Sequence, residues 1–401
     1  MKTQTGSIKR IGGSWYGRWR EDVIEKAQTV RKQRFEKLCD VDDRYRTKAD
    51  VRPLLAEKLR SLNEGKTDAR SSLTLAAFVS EYYDPCAHEN FKPSTVHGYS
   101  KLWKDALCPR VGQIRLRDFR TVDAANTLSY FVGKGWGRSS LKHAKSLLSG
   151  IFTFAKNIGV LDGVNPVQGT IIPRKAARPS DTHASTPDDV VAILDVLKRA
   201  KDVEGRLKLQ AQTAIALMFF AGLRPGEARG ARWEDYKGKT LTVEQSVWRK
   251  HTTEPKTASA AKPVLVIEPL RELLAHLRQT ERNPAKGPIL RGVKGGPLDL
   301  NILAKRVIRP ALRNRENYRD GESKNWKPLE WHGFYSLRRG IATQLTAITR
   351  DPMAAKGLLR HSSVNTTLAH YIKDVPEVTA NGMAQVEQLF NELDVAGQAV
   401  Q

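Results

Sequence analysis

The stretch GTIIPRKAARPSDTHASTP at residues 169–187 constrains the fold more than any other part of the chain. It is rich in proline, basic and small residues and offers no apolar face, so it reads as an extended linker. Apolar periodicity resumes on both sides of it, so the chain folds as separate units, each with its own core. Its 401 residues are enough for two or three. Upstream, SLTLAAFVSEYY has apolar residues at helical spacing, and KPSTVHGYSKLWKDALCPRVG continues from a Pro-Ser-Thr start. TVDAANTLSYFV and SSLKHAKSLLSGIFTFAKNIG add two helices with Ser or Thr caps. Downstream, PDDVVAILDVLKRA and LKLQAQTAIALMFFAG open a unit that continues through a strand-rich patch, KTLTVEQSVWRK and KPVLVIE. Helices around 270–280, 300–313, 337–348 and 352–360 close it.

The expected fold class is therefore mostly α with a small β-sheet, in several domains. A β-hairpin and helix module occupies 1–70, an all-α domain 73–168, the linker 169–187, an α+β domain 188–383 and a tail helix 384–401. In the first module GSWYGRWR, residues 13–20, alternates aromatics with small or basic residues, a hairpin pattern. Val30 to Leu38 offers another short strand, TKADVRPLLAEKLRSL reads as a helix over 47–62, and EGKTDARSS at 64–72 reads as a second linker. Trp15, Arg18, Trp19 and Arg20 are candidate DNA contacts, since aromatics interleaved with arginines suit a groove or backbone. The same tryptophans would equally serve as a mini-core. In the tail, Val386, Leu389, Phe390 and Leu393 fall at helical spacing, suited to docking on a neighbouring subunit or on their own domain.

Charge narrows the function classes. Lys and Arg total 67 against 43 Asp and Glu, a net charge of +24. Each phosphate such a surface neutralises releases condensed counterions, so nucleic acid is the expected partner. An anionic membrane is the weaker alternative, because no basic amphipathic anchor and no run of about 18 apolar residues is present. MKTQTGSIKR lacks the apolar core of a secretory signal. Cys39, Cys86 and Cys108 show neither metal-ligand spacing nor a disulfide framework, which suits a reducing cytoplasm. No metal or cofactor is expected.

Four segments of the last domain carry chemistry. In AGLRPGEA, residues 221–228, an apolar helix ends at Gly222 and Arg224 sits in a turn stiffened by Pro225 and Gly226. A guanidinium matches two phosphate oxygens in a fork. In EPKTA, residues 254–258, Lys256 lies between strand-like stretches, where a hairpin tip can carry it to a phosphate or a departing oxygen. In WHGFYSLRRG, residues 331–340, Tyr335 and Arg338 are three apart and share a helix face. In LLRHSSVNTTLAHY, residues 358–371, His361 ends one helix and Tyr371 lies on the next. Each segment alone has an ordinary reading: a surface arginine, a solvated lysine, a salt-bridged helix start, a packed tyrosine.

Together and in order, they resemble the catalytic domain of the tyrosine recombinases, the family that includes phage integrases. That family's pattern is an Arg in a GLRxGE turn, a hairpin Lys, an HxxR box, a His or Trp in an LGHSS-like box, and a Tyr shortly after. The matching positions are Arg224 with Glu227, Lys256, Tyr335 with Arg338, His361 and Tyr371. Residues 73–168 resemble the family's core-binding, SAM-like domain by position and type, and 1–70 resemble an arm-type DNA-binding module more loosely. Two positions depart from the pattern. Tyr335 stands where the box has His, and a phenol with a pKa of about 10 accepts protons poorly at neutral pH. His332, one turn earlier, is a partial substitute. Tyr371 falls one residue late, the family spacing landing on His370.

The resemblance implies that Tyr371 attacks a phosphodiester, forming a 3′-phosphotyrosyl bond and freeing a 5′-hydroxyl. Arg224, Arg338 and His361 would hold the charge of the phosphorane, Lys256 would protonate the leaving oxygen, and Glu227 would orient neighbours. It further implies double-stranded DNA at core and arm sites, a homotetramer on DNA, an accessory DNA-bending or directionality protein, and integration or excision of a phage or other mobile element in a prokaryotic cytoplasm. Three alternatives stand beside it: a type IB topoisomerase, a DNA-binding relative impaired in catalysis, for which Tyr335 speaks, and an RNA-binding protein, which lacks support in sheet aromatics.

Overall fold

The computed structural model describes residues 4–25, 28–63, 68–178, 182–201, 203–254, 262–319, 323, 326–363 and 365. It is mostly helical with small sheets. The chain divides into two compact units, Met1–Ser180 and Asp181–Gln401, the division falling inside the proline-rich 169–187 stretch.

The first unit opens with a three-stranded antiparallel sheet of β1 (Ser7–Ile11), β2 (Ser14–Glu25) and β3 (Gln28–Asp40), in that spatial order. Side chains alternate across β2. Trp15 and Trp19 point to one face and pack on Val51, Leu55 and Leu59 of α1 (Lys48–Asn63), which repeat every fourth residue and so form one helical stripe. Trp15 Nε1 donates to the Tyr45 carbonyl at 2.8 Å. Of the four residues singled out for DNA contact, the two tryptophans are therefore core, because period two turns them inward. Arg18 and Arg20 lie exposed on the outer face, beside Tyr16, whose ring stacks on Phe35 with centroids 5.1 Å apart.

The segment expected as a linker at 64–72 ends in a packed 3-10 turn, Ala69–Ser72, with Ser71 and Ser72 buried. Glu21, itself buried, accepts from Arg34 at 2.5 Å and from Arg117 at 2.6 Å, tying the sheet to the helical part of the unit. That part runs through Leu75–Phe78, Asp84–Asn90, Pro93–Leu102, Cys108–Val111, Thr121–Gly133 and Arg138–Asn157. Phe78, Phe152 and Leu148 lie at its centre. Two of its helices carry a proline in mid-course, Pro85 and Pro109, and in each a π-turn, Val79–Tyr83 or Trp103–Leu107, immediately precedes it. The same pairing recurs in the second unit at Ala304–Ile308 and Pro310. A proline has no N–H and its ring crowds the carbonyl four residues back, so one wider turn lets the helix continue.

The second unit is built around helix Gly205–Phe219, buried almost continuously from Leu209 onward. Pro187–Arg199, Glu268–Thr280 and Phe334–Thr349 pack on it. Pro187–Arg199 is opened by a capping box in which Thr186 and Asp189 exchange hydrogen bonds. Short strands Thr240–Leu241 and Val264–Leu265 pair antiparallel, as do Ser246–Trp248 and His251–Thr253. Helix Phe334–Thr349 lies so close to Ser185 that an ideal β-carbon on Gly340 would sit 1.8 Å from the Ser185 carbonyl oxygen. Only a glycine permits that approach. Among the described residues, no helix is long and apolar enough to cross a membrane.

Candidate active site

The site grows from the end of the buried helix. Gly222 takes a left-handed conformation, φ 59°, and turns the chain out of Gly205–Phe219. Arg224 follows in extended conformation and caps helix Pro225–Gly230. Glu227 occupies the third helical position and reaches back. Its Oε2 accepts from the Arg224 backbone N–H at 2.9 Å, and its Oε1 accepts from Arg224 Nη1 at 2.7 Å. The turn expected from the sequence is thus also an ion pair, with Glu227 buried and Arg224 partly exposed.

Helix Phe334–Thr349 delivers Arg338, which is wholly buried. Its Nη1 donates to the Gly222 carbonyl. Its Nη2 donates to the Leu359 carbonyl at 2.7 Å and to His361 Nε2 at 3.0 Å. The His361 nitrogen that accepts carries no proton in this arrangement. Arg338 therefore fastens together the turn after the first helix and the end of helix Pro352–Leu359. Arg360, the residue that caps that last helix, has φ 54° and ψ 44° and is buried. Its Nη2 donates to Glu227 Oε2 at 2.6 Å, while Arg338 Nη1 stands 3.9 Å from the same oxygen.

One carboxylate thus faces three guanidinium groups. Burial pushes the Glu227 carboxyl up, but Arg360, Arg224 with its backbone N–H, and Arg338 outweigh it and hold the carboxyl below its ordinary value. Burial pulls the Arg360 guanidinium below its ordinary value, against the opposing attraction of Glu227. Three positive charges against one negative leave the cluster cationic, which suits an oxyanion whose charge spreads over several oxygens.

Arg224, Glu227, Arg338 and His361, named from the sequence, are brought together. Tyr335 lies one turn ahead of Arg338 and is half exposed where Arg338 is sealed. His332 stacks on His183, ring centroids 3.7 Å apart, and its Nε2 is 3.8 Å from Glu330. Lys256, Tyr371 and the 384–401 tail lie outside the described residues. Arg360 is the functional candidate that the sequence reading missed. The available signal was an arginine at the glycine position of an LGHSS-like box.

A family model described as the phage integrase family matches residues 184–377. Residues 184–377 therefore carry a domain of this family, that of the tyrosine recombinases. The stretch contains every residue of the cluster. A tyrosine recombinase XerC of Methylobacterium sp. (strain 4-46) is 26% identical over 295 residues, covering 69% of this chain and 82% of the relative. Another XerC, from Bradyrhizobium diazoefficiens, is 25% identical over 299 residues, covering 70% and 84%. Among solved structures, a Tn1549 transposon integrase in complex with transposon right end DNA superposes with a TM-score of 0.62 at 16% identity, over 79% of this chain and all of the other. A lambda integrase, in a tetramer bound to a Holliday junction, gives 0.55 at 17% identity over 90% and 93%. These likenesses place the chain in the fold of multidomain integrases.

Proposed function

We propose that this chain is a site-specific DNA recombinase that cuts and rejoins duplex DNA through a 3′-phosphotyrosyl intermediate, in the integration or excision of a phage or other mobile element. The observation that carries the reading is that Arg224 and Arg338 both face Glu227 while Arg338 also bonds to His361, which joins three distant segments in one cluster. The family match and the XerC relatives support it.

Tyr371 is the nucleophile. Its hydroxyl loses its proton to solvent as the oxygen bonds to phosphorus, the bond to the 5′ oxygen breaks, and Lys256 gives that oxygen a proton. A 5′-hydroxyl of the partner strand then attacks the phosphotyrosine, the tyrosine leaves, and the backbone is restored. Bond energy is kept in the covalent intermediate, so the cycle needs no ATP. Arg224, the more exposed guanidinium, meets the phosphate directly, and Arg338 adds its charge from the buried layer beneath. His361, accepting from Arg338 at Nε2, has its proton on Nδ1, and that N–H is the donor it offers to the phosphate. Each unit contributes its own DNA contacts, the first through Arg18 and Arg20 on the outer sheet face. Exchange between two duplexes needs four such sites, which calls for a homotetramer on DNA.

Incubation with a nicked duplex bearing the core site tests this. Wild type is expected to accumulate a covalent protein–DNA adduct, and Tyr371→Phe none. An adduct of equal yield from Tyr371→Phe removes the assignment. A second reading, a DNA-binding relative impaired in catalysis, is favoured by Tyr335 at the box position. Tight duplex binding with no adduct from wild type would select it.

A further inference from the structure

We propose that Arg360 is a positioning residue of the strand-transfer site: its guanidinium fixes the carboxylate of Glu227, which in turn holds the Arg224 guanidinium in place. The inference rests on the recombinase reading for its consequence and on geometry for its substance.

The backbone gives the first reason. At φ 54° and ψ 44° a side chain crowds its own carbonyl, and glycine is the residue that fits without strain. The resembled box has glycine here. A larger residue persists in that region when surrounding contacts over-determine it. Among the described residues, three other arginines also have positive φ, Arg249, Arg282 and Arg350, and all are exposed. Arg360 alone among the four is buried, so its side chain does more than tolerate a helix cap.

The contacts give the second reason. Arg360 Nη2 takes Glu227 Oε2 at 2.6 Å. That oxygen also receives the Arg224 N–H, and the other oxygen receives Arg224 Nη1. Fixing one oxygen sets the carboxylate plane, and the plane aims the second oxygen at Arg224. For stability alone, a well-packed apolar side chain would serve a buried site as well as an ion pair does. The charge at Arg360 has its use in keeping the cluster cationic while Glu227 is engaged.

The test uses the full chain with Arg360→Gly, Arg360→Gln and Arg360→Lys. Glycine suits the backbone, so Arg360→Gly is expected to fold. Duplex affinity should stay within about threefold of wild type while adduct formation slows by roughly tenfold to a hundredfold. The acid limb of the pH profile should move to higher pH, because Glu227 loses a cation that keeps it ionised. Arg360→Lys should recover part of the rate and return the limb toward wild type. If Arg360→Gly fails to fold, Arg360→Gln carries the same expectation. Wild-type rate and an unmoved limb overturn the proposal, and so does a slowed rate with an unmoved limb and no recovery in the lysine variant. Should wild type itself form no adduct, the recombinase reading fails separately. A carbon-13 titration of the Glu227 carboxyl then decides: a midpoint raised in Arg360→Gly supports the hold on Glu227, and an unchanged one ends it.

Discussion

Glu227 is where the site's electrostatics are concentrated. A buried carboxylate with Arg224, Arg338 and Arg360 around it is stable only while ionised. Its folded value lies below the ordinary 4.5. A depressed carboxylate contributes stability that is present above the unfolded value and is lost as pH falls through the folded one. Glu227→Gln should therefore destabilise the second unit by roughly 3 kcal/mol near neutral pH, since three guanidinium groups lose their counter-charge. The gap to wild type should begin to narrow as pH drops below that ordinary value, where the unfolded carboxyl takes up a proton, and should close as pH falls through the lower folded value. Urea midpoints measured down a pH series check this, and a gap constant with pH would place the stabilisation elsewhere. Arg224 and Glu227 were legible in the sequence because they sit three apart in one GLRxGE-like turn. The Arg360 contact spans 133 positions, a distance over which no local periodicity operates. The burial of Arg338 was equally hidden, because its acceptors are the backbone carbonyls of Gly222 and Leu359, which leave no mark on residue identity.

Helices position these side chains through close contacts. Helix Phe334–Thr349 carries Arg338, and its approach to Ser185 is secured twice. Ser185 N–H donates to the Ser336 carbonyl at 3.0 Å, and the two hydroxyls bond at 2.8 Å. A methyl group on Gly340 would meet the Ser185 carbonyl oxygen, which is backbone and cannot swing aside. Gly340→Ala should cost about 1–3 kcal/mol by forcing the two segments apart. It should also slow cleavage by displacing Arg338, which thermal unfolding and adduct assays would read in parallel. Unchanged values in both would show that the segment at Ser185 yields freely. Sequence periodicity placed the helices around 270–280, 300–313 and 352–360 within a few residues of where they lie. It did not reveal the π-turns ahead of Pro85, Pro109 and Pro310, because a proline inside an apolar pattern looks the same whether the helix stops or widens. The strands β2 and β3 run longer than the short hairpin expected, since their outer-face residues are polar and blur the apolar signal.

At the scale of the molecule, the excess of 67 basic over 43 acidic residues becomes meaningful once faces are assigned. In the N-terminal sheet the alternation of β2 separates two jobs that the sequence left mixed. Trp15 and Trp19 hold the sheet to α1, and Arg18 and Arg20 face outward beside the Tyr16–Phe35 stack. The two classes of substitution should therefore fail differently. Trp19→Ala should unfold the sheet and α1, costing about 3–5 kcal/mol, and any loss of DNA affinity would follow from that. Arg18→Ala with Arg20→Ala should leave the fold intact and remove phosphate contacts. The slope of log affinity against log salt should then fall by about 2, because each lost phosphate contact subtracts roughly 0.9 from it. Affinity measured across a salt series, with circular dichroism on the same samples, separates the outcomes. A double arginine variant with the wild-type slope would mean that this face meets no phosphate, and the charge that binds DNA would have to be sought on the other surfaces of the chain.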